Sequence, residues 1–218
     1  NMKEKILKNR NLIDVFVIII VALLIGIPLL SSKIDIYMDD GIQHIARAYG
    51  TAESFRENWL FPNIISDFTN EYGYSWNLFY GPLTTYSIII IRLIVGNYIV
   101  AYKIFTVIAM FLSGFFMYQF LKNFTRNNEV AVLGSILYMT FPYHLTDLYT
   151  RNAIGEYTSF IFIPLVFLGL YNLFNTSDKN YYLSIGAIGL ILTHNLSTVI
   201  VAIFSFIYLL VNIDRLKD

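Results

Sequence analysis

The chain has 218 residues, of which 56% are hydrophobic and 14% charged, with zero net charge and no cysteine. A soluble domain carries roughly 25% charged residues, so this composition excludes an ordinary soluble fold. Neutrality argues against a nucleic-acid partner, and the missing thiols exclude disulfides, thiolate zinc sites and cysteine nucleophiles.

Asn1 precedes Met2, which reads as the native start. Lys3, Lys5, Lys8 and Arg10 then lead into the apolar run Val15–Ser32. The run is long and lacks the small-residue cleavage site of a signal peptide. It predicts a retained first helix over about 13–30, N-terminus in the cytoplasm, in the plasma membrane. Just beyond stands a side-by-side acidic pair, Asp39 and Asp40. Carboxylates at a membrane surface are costly to desolvate, which marks them as candidates for chemistry. From Asp39 to about Asn58 the pattern is that of an amphipathic helix. Ile42, Ile45, Tyr49 and Ala52 share one face; Asp40, His44, Arg47, Thr51, Ser54 and Asn58 share the other. Such a helix is expected to lie apolar side down on the membrane, with its polar side toward water or a protein cavity. A plainer alternative makes Asp39 or Asp40 a helix cap and His44 and Arg47 ordinary surface residues.

The stretch Ile64–Pro82 is rich in aromatics, glycine and asparagine and reads as an ordered loop. Rings beside amides suit a sugar, and they equally suit an interfacial aromatic belt. As a helix, Pro82–Gly96 would be about 22 Å long, short of a ~30 Å hydrocarbon core. It also carries Arg92, which either snorkels to the interface or meets an anionic group. If this segment does not cross, Lys122, Arg126, Lys179, Arg215 and Lys217 all fall on the N-terminal side, as the positive-inside rule prefers. The predicted order continues with helices over about 99–121, 130–146 and 157–174, an external loop Asp147–Glu156 between the last two, and Tyr181–Val211 split at His194 into two short helices. The expected fold is an all-α polytopic transmembrane bundle of about six spans, with juxtamembrane helices in a first external loop at about 31–98. It puts the acidic pair, the 147–156 loop and His194 on one, extracytoplasmic, side.

Three stretches carry a family resemblance: Met38-Asp39-Asp40-Gly41-Ile42-Gln43-His44-Ile45-Ala46-Arg47; Glu71-Tyr72-Gly73-Tyr74 through Phe79-Tyr80-Gly81-Pro82-Leu83; and Arg151-Asn152-Ala153-Ile154-Gly155-Glu156, entering a helix with Pro164. Leu192-Thr193-His194-Asn195-Leu196 adds to them. In order and spacing, the chain resembles the N-terminal part of a GT-C-fold membrane glycosyltransferase. More narrowly, it is similar to the bacterial and archaeal membrane proteins of the 6-pyruvoyl-tetrahydropterin-synthase-related, YfhO-like group. Full-length members have about twice as many spans, so residues 1–218 correspond to an N-terminal transmembrane module. The resemblance implies a polyprenyl-phosphate-linked sugar donor, a glycan, lipid or protein acceptor, and the acidic role on Asp39 and Asp40. It implies a second acidic position at Asp147 or Glu156.

In an inverting transfer a carboxylate such as Asp40 acts as base on the acceptor hydroxyl. Arg47, Arg92 or Arg151 would face the departing phosphate, since a guanidinium binds two phosphate oxygens at once. His44, four residues on, would orient Asp40. Glu156 and His194 are further substrate-binding candidates, with capping and dipole roles as their alternatives. Asp39 and Asp40 could instead hold Mg²⁺ or Mn²⁺, although no third ligand is evident. The competing function is a non-catalytic membrane protein that carries lipid-linked glycans or assists envelope glycan assembly. A transporter should gather its polar residues at the bilayer midplane, whereas here they collect at one surface.

Overall fold

The computed structural model describes residues 2–30, 39–55, 62–66, 68–176 and 180–216. Met38, Asn58, Lys179 and Lys217 lie outside the described residues. Among those described the fold is all-helical, with one isolated antiparallel bridge, Ile65–Tyr74. The main helices are α1 (Met2–Gly26), α2 (Gly41–Ser54), the single turn α3 (Trp76–Phe79), α4 (Pro82–Val95), α5 (Tyr98–Thr125), α6 (Asn128–Thr140), α7 (Pro142–Thr146), α8 (Ile154–Asn175), α9 (Tyr182–Ile191) and α10 (Asn195–Val211). A π-turn, Asp147–Arg151, joins α7 to α8.

Among the described residues three helices are long and apolar enough to cross a membrane: Arg10–Leu30, Tyr98–Thr125 and Ile154–Asn175. Pro82–Val95, Tyr182–Ile191 and Asn195–Val211 are shorter apolar helices. The expected helix over 130–146 is broken at Phe141-Pro142, where proline cannot continue the hydrogen-bond ladder. The core joins α1, α5, α6 and α8 through Ile18, Ala22, Phe105, Met110, Met139 and Ile161. In lipid no hydrophobic gain drives helices together, so association depends on close backbone approach. At the α8–α9 contact a Cβ on Gly169 would sit 2.4 Å from the Leu183 amide nitrogen.

The two ends of the bundle differ. At one end α1 and α5 meet through a buried polar network. Asp14, 8% exposed, accepts from the Tyr118 hydroxyl (2.9 Å) and the Asn128 amide (2.6 Å), and Lys122 donates to Asn11 (2.6 Å) and Tyr118 (3.2 Å). At the other end lie α2, the 62–81 loop, the start of α4, the π-turn and the α9–α10 break. The Leu83 amide donates to the Leu192 carbonyl (3.0 Å) and the Asn195 side chain to the Phe79 carbonyl (3.3 Å). A Cβ on Gly81 would fall 2.3 Å from the Leu192 carbonyl oxygen, so only glycine admits this approach.

The polar face of α2 turns inward. His44, Arg47, Thr51 and Ser54 are buried, while Ile42 and Tyr49 are about half exposed at 50% and 51%. Of the two environments expected for that face, the protein side is the one found. The reason is local: the 62–81 loop offers backbone carbonyls and an asparagine that these polar groups can bind.

Candidate functional site

The acidic pair is fixed by its backbone. The Asp39 amide donates to the Thr150 carbonyl (3.2 Å) and the Asp40 amide to the Arg151 carbonyl (3.0 Å). Asp40 is the N-cap residue of α2, yet its carboxylate makes no capping hydrogen bond. Capping therefore does not occupy the side chain. Asp40 instead lines a cavity of about 370 Å³ with Gln43, His44, Phe68, Tyr74, Trp76 and Tyr80. That volume lies within the usual range for small-molecule pockets. Asp39 is exposed outside it.

The aromatic wall is built by the 62–80 loop. Ile65 and Tyr74 exchange backbone hydrogen bonds (2.9 and 3.0 Å), closing a turn in which Thr69, Asn70 and Glu71 all have positive φ, at 57°, 53° and 70°. The Thr69 hydroxyl donates to the Gly73 carbonyl (2.9 Å) and holds this unusual run. Trp76 stands edge-on to both Phe68 (5.6 Å) and Tyr74 (5.8 Å).

Arg47 ties this wall to α2. Its Nε donates to Asn77 Oδ1, and one Nη donates to the Tyr80 and Gly81 carbonyls, each at 3.1 Å. The guanidinium lies 5.2 Å from the centre of the Tyr80 ring. Burial pulls its pKa down to about 10, so it stays charged at neutral pH. Arg47 is thus a strap between helix and loop, although its second Nη is buried without a partner among the described residues. His44 is 3% exposed, and both ring nitrogens lack a partner among the described residues. It packs edge-on against Tyr80 at 5.6 Å and makes no hydrogen bond to Asp40. Burial, reinforced by the nearby Arg47 charge, lowers its pKa to about 3, so the imidazole is neutral.

Behind the acidic pair sits a second ionic group. Arg151 donates to Asp147 and Glu156, both at 2.8 Å, and to the Tyr143 hydroxyl at 3.1 Å. Tyr143 in turn donates to Glu156. The Asp147 side chain is fully buried, with one carboxylate oxygen unpartnered among the described residues. Burial, then the charge of Glu156, raise its pKa to about 7, with Asp40 acting in the same direction and Arg151 opposing. Although Arg151 is in contact, it is itself 41% exposed, so desolvation of the carboxylate wins. Burial followed by the Asp40 charge also raises the Tyr80 phenol, coupling the two groups across the cavity wall.

The structure therefore brings Asp40, His44 and Arg47 together, with Arg151 and Glu156 alongside through the backbone contact. Arg92 lies about 15 Å further along α4 than Pro82, stacked on Tyr98 at 5.1 Å, and does not line the Asp40 cavity. His194 is the N-cap of α10: its Nδ1 faces the Ser197 hydroxyl at 2.7 Å. A Cβ on Gly155 would be 3.7 Å from its ring, so it borders the Arg151–Glu156 group. Among the described residues no cluster of three or more His, Cys, Asp or Glu side chains is arranged to hold a metal ion. Gln43 and Tyr80 were not singled out from the sequence. Gln43 falls one residue before His44, and Tyr80 stands in the aromatic loop, where nothing in the pattern ranks one ring above another.

A model of the 6-pyruvoyl-tetrahydropterin synthase related domain, described as a membrane protein, matches residues 78–217. An uncharacterized protein of Lactococcus lactis subsp. cremoris (strain MG1363) is 29% identical over 171 residues, covering 76% of this chain. The match spans only 28% of that relative's length. No solved structure matches.

Proposed function

The chain belongs to the 6-pyruvoyl-tetrahydropterin synthase related domain family of membrane proteins, and from that premise we propose that it is the N-terminal module of a GT-C-type glycosyltransferase. The donor is a polyprenyl-phosphate-linked sugar, used at the extracytoplasmic face of a six-span bundle with α2 and α4 lying at the membrane surface. The observation that carries this reading is the cavity in which the Asp40 carboxylate, free of any capping bond, faces Trp76, Tyr74 and Tyr80. Aromatic faces stack on the apolar faces of a pyranose. The unpartnered His44 nitrogens would bind its hydroxyls, relieving the cost of burying them bare. An apolar groove of about 680 Å³ between α1 and α5, lined by Leu23, Leu30, Val100, Lys103 and Val107, opens at the same end of the bundle and suits a lipid chain.

In this mechanism Asp40 accepts the proton of the acceptor hydroxyl as that oxygen attacks the anomeric carbon. The anomeric C–O bond breaks and its electron pair leaves with the lipid phosphate. Arg151, already paired twice, lends positive potential near the site. The test is Asp40→Asn in the intact protein, assayed for sugar transfer from a polyprenyl-phosphate donor in membranes. A loss of roughly 10²–10⁴-fold is expected for removal of a general base. Wild-type transfer by a stably inserted mutant would refute it.

A second reading, a non-catalytic carrier of lipid-linked glycans, is favoured by one observation: His44 makes no bond to Asp40, so no carboxylate–imidazole pair is assembled. A carrier would bind the glycan lipid and show no transfer at any pH, and Trp76→Ala would weaken that binding.

A further inference from the structure

At the end of the bundle opposite Asp40 lies another pocket, of about 410 Å³, between the last turns of α5 and α8 and the start of α6. Its lining includes Lys122 and Arg126 but no acidic residue; the rest is Gln119, Asn123, Asn128, Tyr171, Asn172, Asn175 and Thr176. Two acids at this end are engaged elsewhere: Glu129 pairs with Arg10 at 2.9 Å, and Asp14 accepts from Tyr118 and Asn128. Lys122 spends two donors on Asn11 and Tyr118 and retains a third. Among the described residues the Arg126 guanidinium makes no hydrogen bond or ion pair. Arg126 closes α5 in a left-handed conformation, φ 55°, which lifts its side chain out of the helical register. The third Lys122 donor and the Arg126 guanidinium, both at one hollow, match the negatively charged oxygens of a phosphate.

The surroundings favour a lipid over a soluble phosphate. Both α5 and α8 are long enough to cross a membrane, and the pocket sits where they end. Phe124 is 57% exposed beside it, edge-on to Tyr171 at 5.5 Å, and offers an apolar flank to acyl chains. A tyrosine at the headgroup level is the usual interfacial arrangement. We propose that this pocket seats the phosphate of an anionic phospholipid headgroup, with Arg126 as its principal charged donor and Phe124 against the chains. The assignment is independent of the chemistry at Asp40.

The experiment measures lipid binding to the intact, delipidated protein by native mass spectrometry, using phosphatidylglycerol, phosphatidylcholine and inorganic phosphate. Phosphatidylglycerol is expected to bind several times more tightly than phosphatidylcholine. Arg126→Asn, which tolerates the left-handed backbone, should weaken phosphatidylglycerol binding roughly fivefold, the worth of one interfacial cation. Arg126→Lys should largely keep the preference. Equal binding of the two lipids by the wild type, or an unchanged preference in Arg126→Asn with an unaltered melting temperature, overturns the proposal. Displacement of phosphatidylglycerol by equimolar inorganic phosphate overturns the lipid assignment.

Discussion

The two ends of the bundle bury polar groups in opposite ways. Around Asp14 each contact is returned: one carboxylate, two donors and a lysine close into a network between α1, α5 and α6. Around Asp40 the buried polar groups are left partly open, at His44, at one Arg47 nitrogen and at one Asp147 oxygen. A satisfied network fixes helices, whereas an unsatisfied buried group costs free energy unless a ligand completes it. The difference separates the Asp14 network, which holds the helices together, from the Asp40 site, which is left open for a ligand.

The comparison is broken most severely at Arg47. Arg47→Ala would strip the Asn77 Oδ1 and the Tyr80 and Gly81 carbonyls of their shared donor, loosen the aromatic wall and lower stability by about 3 kcal/mol. Thermal unfolding in detergent checks this, and an unchanged melting temperature would rule out the strap. Next in size is a pH effect at Asp147, whose pKa in the fold, about 7, exceeds its ordinary 3.8. Between those values the folded state binds more protons than the unfolded, so stability is full below the lower value and falls as pH rises toward 7. Asp147→Asn should remove on the order of 2 kcal/mol of the stability difference between pH 5 and pH 8. Identical pH dependence in mutant and wild type would exclude Asp147 as the cause.

Smaller effects sharpen the contrast. Tyr118→Phe deletes a donor from the closed network and should cost about 1 kcal/mol. His44→Phe deletes a buried ring whose nitrogens have no partner among the described residues, and should be neutral or stabilising by up to about 1 kcal/mol while weakening the proposed sugar binding. If His44→Phe destabilised more than Tyr118→Phe, the contrast between the closed Asp14 network and the open Asp40 site would fail.

Much of the architecture was legible residue by residue. Pro82 and the Gly96 C-cap bound α4, and the Thr193–Asn195 break separates α9 from α10, because proline, glycine and local caps act within a turn. Asp40, Arg151 and His194 were expected at one end, and contacts among Asp40, Arg151, Gly155 and Thr193 gather them there. Asp14 was passed over as the mere edge of an apolar run. Its role depends on Tyr118 and Asn128, more than a hundred residues away, and no local pattern reports such a pairing.

The sequence by itself determined the membrane class, most of the helical segments though not the break at Phe141-Pro142, and the two-faced character of α2. These follow from hydropathy and periodicity, which are local sums over neighbouring residues. Only the tertiary structure decided that the polar face of α2 turns inward, that Arg47 straps a loop rather than awaiting a phosphate, and that Arg126 and Tyr171 share a pocket. The physical reason is that a buried polar group settles where partners exist. Those partners, the Tyr80 and Gly81 carbonyls for Arg47, come from a segment that only folding brings against α2.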